Sequence, residues 1–188
     1  YAGNAGGADY PVAISLNGSG GVYVAATTIN TVTGFDATLI SYDNNGNQQW
    51  ATSFDGGGQA DVLQCMTVDG SGNAYAAGLF VPSNGALSDG LLVKFDPAGT
   101  ISWDTTYDFS SSSTSDRDFF NSITMDLTSN VVVAGQSNTN FVTIQYDANG
   151  NPNWIQNYSH SANPDSATVV MVDSSNNILV GGTFGQFI

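Results

Sequence analysis

Three loops of the chain share an Asp, a Gly three residues later and a Trp seven residues later. This spacing could hold a cation or form a turn. The loops are DNNGNQQW at 43–50, DPAGTISW at 96–103 and DANGNPNW at 147–154. A calcium loop of the EF-hand type needs side-chain oxygens at alternate positions, and Pro97 and Ala98 supply none. An Asp followed by Gly at this spacing is typical of a type I turn that ends in a left-handed residue. We therefore interpret the three loops as turns.

A second set of loops predicts turns of the same kind between other strands. They are NGSGG at 17–21, DGSGN at 69–73, DLTSN at 126–130 and DSSNN at 173–177. In the third of these, Ser129 stands where the others have Gly or Asn. If its φ is positive, we expect a small cost in stability, because the left-handed region is unfavourable for most L-residues.

A further set of Asp residues recurs where the pattern predicts the first strand of each unit: Asp9, Asp61, Asp118 and Asp165. If these strands line a central channel, the four carboxylates could bind Ca²⁺ through oxygen ligands. The alternative is that each carboxylate accepts main-chain hydrogen bonds from the neighbouring connection. The second interpretation is favoured, so we predict no bound cofactor and retain calcium as the alternative.

The residues that would carry catalysis are scarce. His160 is the single His of the sequence, which argues against a Ser-His-Asp triad and against a His-rich metal site. Cys65 stands where other units have Ala13, Ser122 and Val169, so it is interpreted as a small packing residue. Paired Asp residues could serve a glycosidase, but sequence spacing does not reveal such a pair. We therefore predict a protein without catalytic activity.

Charge and composition exclude several classes of partner. The 188 residues include 16 acidic residues, all of them Asp, and two basic residues, Lys94 and Arg117, which gives a net charge of -14. Binding to nucleic acid needs Lys and Arg against the phosphates, so nucleic acid is excluded as a partner. The sequence contains no apolar run of the length that spans a bilayer, so we expect no direct membrane insertion. Abundant Asn, Ser, Thr and Gly with few Lys favour an exported bacterial protein.

The whole chain is organised by an internal repeat. The four recurring Asp residues are separated by 52, 57 and 47 residues, and the segments GVYVAA, NAYAAG, NVVVAG and NILVGG follow in register. The predicted units are 9–60, 61–117 and 118–164, with a partial unit at 165–188 and the end of a preceding unit at 1–8. We interpret 1–188 as one domain built from these units.

Each unit has the pattern of four short strands. In the first unit we predict strands at 10–16, 21–27, 37–42 and 48–54, rich in Val, Ile, Tyr, Phe and Thr and bounded by turn residues. No segment has a sustained helical period. Four antiparallel strands in about 50 residues, repeated, are typical of a β-propeller blade. The fold class is therefore predicted as all-β, with about 3.5 propeller blades.

The segments DGSGNAYAAG and DGLLVKFDPAGTISW resemble the bacterial β-propeller repeat family known as SBBP. The resemblance extends over nearly the whole chain. It implies a propeller that is extracellular or on the cell surface, and it implies no single activity. Three full units and two partial ends cannot close a ring of roughly four to eight blades. We therefore expect the remaining blades in the same polypeptide or in other copies of an assembly.

Variation in length points to one face of the domain. The turns after the first and third strands are constant in length, whereas the connections at the other end of the units vary. Insertions confined to one face commonly mark a binding face. Candidate binding residues near it are Phe35, Phe80, Phe109, Arg117 and Phe119. For the aromatic residues the alternative is packing between units, and for Arg117 it is an ion pair with an adjacent Asp.

The predicted function is a non-catalytic scaffold of a larger secreted or cell-surface protein. It would recognise surface carbohydrate or another protein through its variable loops. One alternative is a purely structural subunit of an extracellular assembly. The other is a catalytic propeller, of the glycosidase or lyase type, whose active residues lie partly in other segments.

Overall fold

The computed structural model describes residues 8–32, 34–57, 59–83, 87–109, 116–160 and 164–185. Within these ranges the chain forms fourteen β-strands and no helix, which confirms the all-β prediction. No described segment is therefore a helix long and apolar enough to cross a membrane.

The strands occur in groups of four along the chain. The first unit contains β1 (Tyr10–Leu16), β2 (Val22–Asn30), β3 (Gly34–Tyr42) and β4 (Gln48–Phe54). The second contains β5 (Ala60–Val68), β6 (Ala74–Val81), β7 (Asp89–Phe95) and β8 (Ile101–Tyr107). The third contains β9 (Asp118–Met125), β10 (Val131–Ser137), β11 (Asn140–Tyr146) and β12 (Pro152–Tyr158). The fourth contains β13 (Ser166–Val172) and β14 (Ile178–Thr183).

Within each unit every strand pairs antiparallel with the next one along the chain. A single parallel pairing, Phe35 with Ala60, joins the first two units into one eight-stranded sheet. The second and third strands of the first unit are longer than the sequence predicts, because the ladder continues to the pair Asn30 and Gly34. The connection between them is correspondingly short.

The units stack face to face, and the hydrophobic cores lie between them. In β6, Ala74 and Ala76 pack in a cluster with the first unit, which contributes Leu39 among others. The alternate residues Tyr75 and Ala77 pack in a second cluster with the third unit. Because successive side chains of a strand point to opposite faces, a strand that is buried on both sides is apolar at every position. This accounts for the apolar runs in the middle strands.

A bulge in the first strand of each unit explains a Gly that recurs in the second. In β5 the register shifts between Leu63 and Cys65, and Gly78 of β6 lies opposite. A Cβ on Gly78 would overlap the carbonyl oxygen of Val62. Gly135 is held in the same way against the carbonyl of Phe119. At these two positions a side chain is excluded, whereas the first unit has Ala26 opposite its own bulge.

The repeated loops are turns, as the sequence predicts. In 43–47 the Gly46 N–H donates to the Asp43 carbonyl at 3.1 Å, and the Asp43 N–H donates to the Asn47 carbonyl at 2.9 Å. The Asp43 carboxylate accepts from the N–H groups of Asn45 and Asn47. Gly46 has a φ of 82°, and Ser129 at the matching place in its own turn has 66°. The expected positive φ at Ser129 is thus confirmed.

The turns of one unit support the Trp of the preceding unit. The indole N–H of Trp50 donates to the Pro97 carbonyl at 3.2 Å, and that of Trp103 donates to the Ala148 carbonyl at 3.0 Å. A Cβ on Gly99 would lie 2.6 Å from the Trp50 ring. The Gly of the turn is therefore required both by its φ of 87° and by the indole packed on it.

Candidate functional site

The two ends of the units differ in how they are built. We call the end with the β2–β3, β6–β7 and β10–β11 connections and the links between units the variable end, and the opposite end the constant end. At the variable end the Asp118 N–H donates to the Ser88 carbonyl at 2.8 Å. The Asp165 N–H donates to the Thr139 carbonyl at 2.9 Å. The second and third links between units are thus held to the preceding loop by the main chain.

Two of the predicted aromatic residues are exposed at the variable end. Phe35 is 39% exposed and Phe109 is 44% exposed. The Phe35 ring lies 6.4 Å from the ring of Tyr10, which is itself exposed. Tyr10 and Phe35 line a shallow apolar recess together with Val12 and Val62. These side chains are available to a partner that approaches this end of the molecule.

The other three predicted binding residues have different surroundings. Phe80 is half-buried and packs against the first core, and its ring would meet a Cβ on Gly56 at 2.7 Å. Phe119 is half-buried within β9. Arg117 is exposed, and its main chain forms a parallel bridge to Ser88. Phe80 is therefore a packing residue, which is the alternative that the sequence left open.

The recurring Asp residues accept hydrogen bonds from the links between units. Asp61 Oδ2 accepts from the Gly56 N–H at 3.0 Å, and Asp118 Oδ2 accepts from the Phe109 N–H at 2.9 Å. Asp165 Oδ2 accepts from the His160 N–H at 2.8 Å. Main-chain hydrogen bonds of the kind that the favoured interpretation expects are thus present at these three carboxylates. A ring of Asp around a central channel, with Asp9 as its fourth member, remains a prediction.

The structure also brings Asp residues together in a way that the sequence analysis did not predict. Two junctions between units each collect three carboxylates, one from the start of a third strand, one after a fourth strand and one from the next first strand. We call Asp36, Asp55 and Asp61 the first Asp cluster, and Asp89, Asp108 and Asp118 the second Asp cluster. In each cluster, one oxygen from every carboxylate lies within 4.8 Å of the other two.

Burial and neighbouring negative charge raise the pKa of one carboxylate in the first Asp cluster, Asp61, and of two in the second, Asp89 and Asp118. The pKa of Asp61 is raised to about 6, chiefly by burial. The hydrogen bond from the Gly56 N–H lowers this pKa, and the negative charges of Asp55 and Asp36 raise it. Burial likewise raises the pKa of Asp89 to about 6, with contributions from Asp108 and Asp118. Each cluster is thus a place where negative charge accumulates without full compensation.

The pKa of Asp118 shows the same balance. Burial raises it, the hydrogen bond from the Phe109 N–H lowers it, and the nearby Ser137 and Asn138 lower it as well. Asp118 Oδ1 and Ser137 Oγ are nevertheless both buried without a hydrogen bond.

The repeat contains a signal that could have revealed the clusters. Asp36 and Asp89 occupy equivalent positions of their units, and Asp55 and Asp108 each follow the aromatic residue that ends a fourth strand. In the sequence the first pair is recognisable only as equivalent positions of two units. The parallel pairing of β3 with β5 places strands of different units side by side, and local sequence patterns do not specify it.

A recess at the constant end was also missed by the sequence analysis. It encloses about 480 Å³ between turns of the first and second units. Its lining includes Tyr23, Gln49, Trp50 and Pro97, with the rings of Tyr23 and Trp50 5.4 Å apart. Polar groups beside aromatic rings make this recess a second place where a polar ligand could lie.

The two residues considered for catalysis, Cys65 and His160, both pack against other parts of the protein. Burial raises the pKa of the Cys65 thiol to about 12, and its Sγ lies 3.7 Å from the Ala77 carbonyl. A thiol in this state is a poor nucleophile at neutral pH. The His160 ring packs 5.0 Å from the Phe184 ring, while its main chain binds Asp165.

No model of a known protein family matches the chain, and no curated protein matches it. The resemblance to SBBP repeats therefore stays a prediction from the sequence.

Proposed function

We propose that the chain is a segment of a β-propeller in an extracellular or cell-surface protein. In this proposal it acts without catalysis, as a rigid scaffold whose variable end recognises carbohydrate or another surface protein. The observation that carries the proposal is the contrast between the ends: repeated hydrogen-bonded turns at one, and exposed Phe35 and Phe109 at the other. The resemblance to SBBP repeats supports the location.

The packing of the units supports the propeller arrangement. The first strand of each unit contacts the first strand of the next, from β1 to β5, from β5 to β9 and from β9 to β13. Strands that line the axis of a propeller are neighbours in this way. The face-to-face cores between four-stranded units agree with the same arrangement.

The Asp clusters do not favour the glycosidase alternative. Retaining glycosidases place their two carboxyl groups about 5–5.5 Å apart, and inverting enzymes place them further apart. In both clusters the oxygens lie within 4.8 Å of one another. Asp61 is only 2% exposed and Asp118 only 1%, so neither of these two carboxylates is open to a sugar from solvent.

A second candidate function, assembly, is favoured by the exposed apolar side chains of the outer units. Ile14 and Leu16 of β1 are 69% and 70% exposed, and Met171 and Leu179 of the fourth unit are also exposed. Exposed apolar surface on a protein commonly marks an interface. Further units of the same polypeptide, or other copies of the chain, would cover them.

A glycan array tests the recognition proposal. The protein is applied to a panel of bacterial surface polysaccharides, together with the variants Phe35→Ala and Phe109→Ala. Gln49→Ala serves as the matched control, because Gln49 is exposed in the recess at the opposite end. We expect the phenylalanine variants to lose binding and the Gln49 variant to retain it. Binding that depends on Gln49 but not on Phe35 or Phe109 would place recognition at the wrong end for this proposal.

A further inference from the structure

The two Asp clusters contain carboxylate oxygens that the protein itself does not satisfy. Asp61 Oδ1 and Asp118 Oδ1 are both buried, and neither has a hydrogen-bond partner. Asp61 Oδ2 accepts a hydrogen bond from the Gly56 N–H, and Asp118 Oδ2 accepts one from the Phe109 N–H. In each carboxylate Oδ1 is therefore the oxygen that could bind a ligand in the cluster. A buried charged oxygen without a partner is unfavourable, and native proteins rarely retain one.

The third junction provides an internal comparison. There the positions of the first two carboxylates are occupied by Asn140 and Ser159, and only Asp165 is acidic. Its Oδ2 accepts from the His160 N–H at 2.8 Å and its Oδ1 accepts from the Gly185 N–H at 3.3 Å. Where the cluster is lost, both oxygens of the recurring Asp are satisfied by the main chain. At Asp61 and Asp118, by contrast, Oδ1 is buried without a hydrogen bond.

We propose that each of the two Asp clusters binds one divalent cation, Ca²⁺ by its chemistry, and that the bound ion joins consecutive units at the variable end. Ca²⁺ takes oxygen ligands and tolerates flexible geometry with carboxylates, carbonyls and water. Zn²⁺ sites normally use His or Cys, and the clusters contain neither. Asp55 and Asp108 are exposed, so an ion and its waters reach each cluster from solvent.

The proposed ions act at the places where the units meet. Asp36 and Asp55 belong to the first unit, whereas Asp61 belongs to the second. An ion bound to all three replaces like-charge repulsion between the units with attraction. Because Phe35 precedes Asp36 and Phe109 follows Asp108 in sequence, the same ions also fix the exposed aromatic residues of the variable end.

Calorimetric titration of the metal-stripped protein with CaCl₂ tests this proposal. We expect two ions per chain, with dissociation constants in the range of roughly 10⁻⁴–10⁻³ M that is found for extracellular calcium modules. Asp55→Asn and Asp108→Asn should each remove one ion or weaken its binding at least about tenfold, because affinity follows the number of charged ligands. The double variant should bind neither ion.

Asp104→Asn is the matched control. Asp104 is exposed and close enough to affect Asp61 electrostatically, but it is not a member of either cluster. It should therefore retain two ions. The proposal is overturned if the wild-type protein binds no Ca²⁺. It is also overturned if Asp55→Asn and Asp108→Asn leave the stoichiometry unchanged, or if Asp104→Asn weakens binding as much as they do.

Two features of the design separate loss of the ion from misfolding of the variants. Both substituted residues are exposed, and Asn has nearly the same shape as Asp, so circular dichroism should be unchanged. Crystals of the wild-type protein soaked in CaCl₂ provide a readout that needs no variant. Anomalous density should occur between the three carboxylates of each cluster, and density only elsewhere on the surface would contradict the proposal.

Discussion

The indole of Trp50 packs on the turn of the next unit. From this contact we predict how far Gly99→Ala lowers the free energy of unfolding. Gly99 and Gly46 are equivalent turn residues with φ values of 87° and 82°. An Ala at either place costs about 1–2 kcal/mol, because an L-residue is strained in the left-handed region. At Gly46 the added Cβ meets nothing within 4 Å, whereas at Gly99 it lies 2.6 Å from the Trp50 ring.

The contact with Trp50 adds a second cost at Gly99 alone. The indole is held by its hydrogen bond to the Pro97 carbonyl and cannot move aside freely. Overpacking of this kind costs typically about 1–3 kcal/mol. We therefore expect Gly99→Ala to lower the free energy of unfolding by roughly 2–5 kcal/mol, and Gly46→Ala to lower it by about 1–2 kcal/mol.

Urea unfolding followed by far-ultraviolet circular dichroism measures both values without depending on the fluorescence of the indole. With a denaturant slope of about 2 kcal/mol per molar, the additional loss at Gly99 lowers the urea midpoint by roughly 0.5–1.5 M. In a Trp50→Ala background the two Gly variants should differ by less than about 0.5 kcal/mol. Equal losses for Gly46→Ala and Gly99→Ala in the wild-type background would show that the Trp50 contact does not contribute to the cost at Gly99.

Three further predictions concern single residues or one type of turn. Ser129→Asn should raise the free energy of unfolding by about 0.5–1 kcal/mol, measured in urea, because Asn tolerates the positive φ better than Ser. Hydrogen bonds from Asn47 lower the pKa of Asp43, so its contribution to stability is present above about pH 4 and is lost as the pH falls further. The melting temperature should therefore drop between pH 4 and pH 2, and less steeply in Asp43→Asn; an identical drop would contradict this. Cys65 should react with a thiol reagent at pH 8 at least about 100-fold more slowly in the folded protein than in urea, because burial keeps the thiol protonated.

Much of the fold could be predicted because the same pattern of strand and turn residues occurs in several units of the sequence. The Asp and Gly of the turns appear in unit after unit, so the turn chemistry of 43–47 could be recognised by comparison with 96–100 and confirmed in the structure. The length of β2 and β3 could not be predicted in the same way. The ladder extends to Asn30 and Gly34, in a connection whose composition varies between units.

The Asp clusters could not be predicted from the sequence because their members come from three strand ends and two units. Asp36 and Asp61 are 25 residues apart, and only the parallel pairing of Phe35 with Ala60 places them together. The role of Phe80 was ambiguous for a related reason. Whether an aromatic residue beside a variable loop is exposed or packs on a neighbouring unit depends on the stacking of the units, which local patterns do not specify.

An experimental structure of the native polypeptide that carries these repeats would test the propeller arrangement most directly. We expect a closed ring of roughly four to eight four-stranded units, with β1, β5, β9 and β13 around a central axis and Phe35 and Phe109 exposed at one end. An open linear stack of units, or a ring in which Phe35 and Phe109 are buried against other segments, would contradict this expectation.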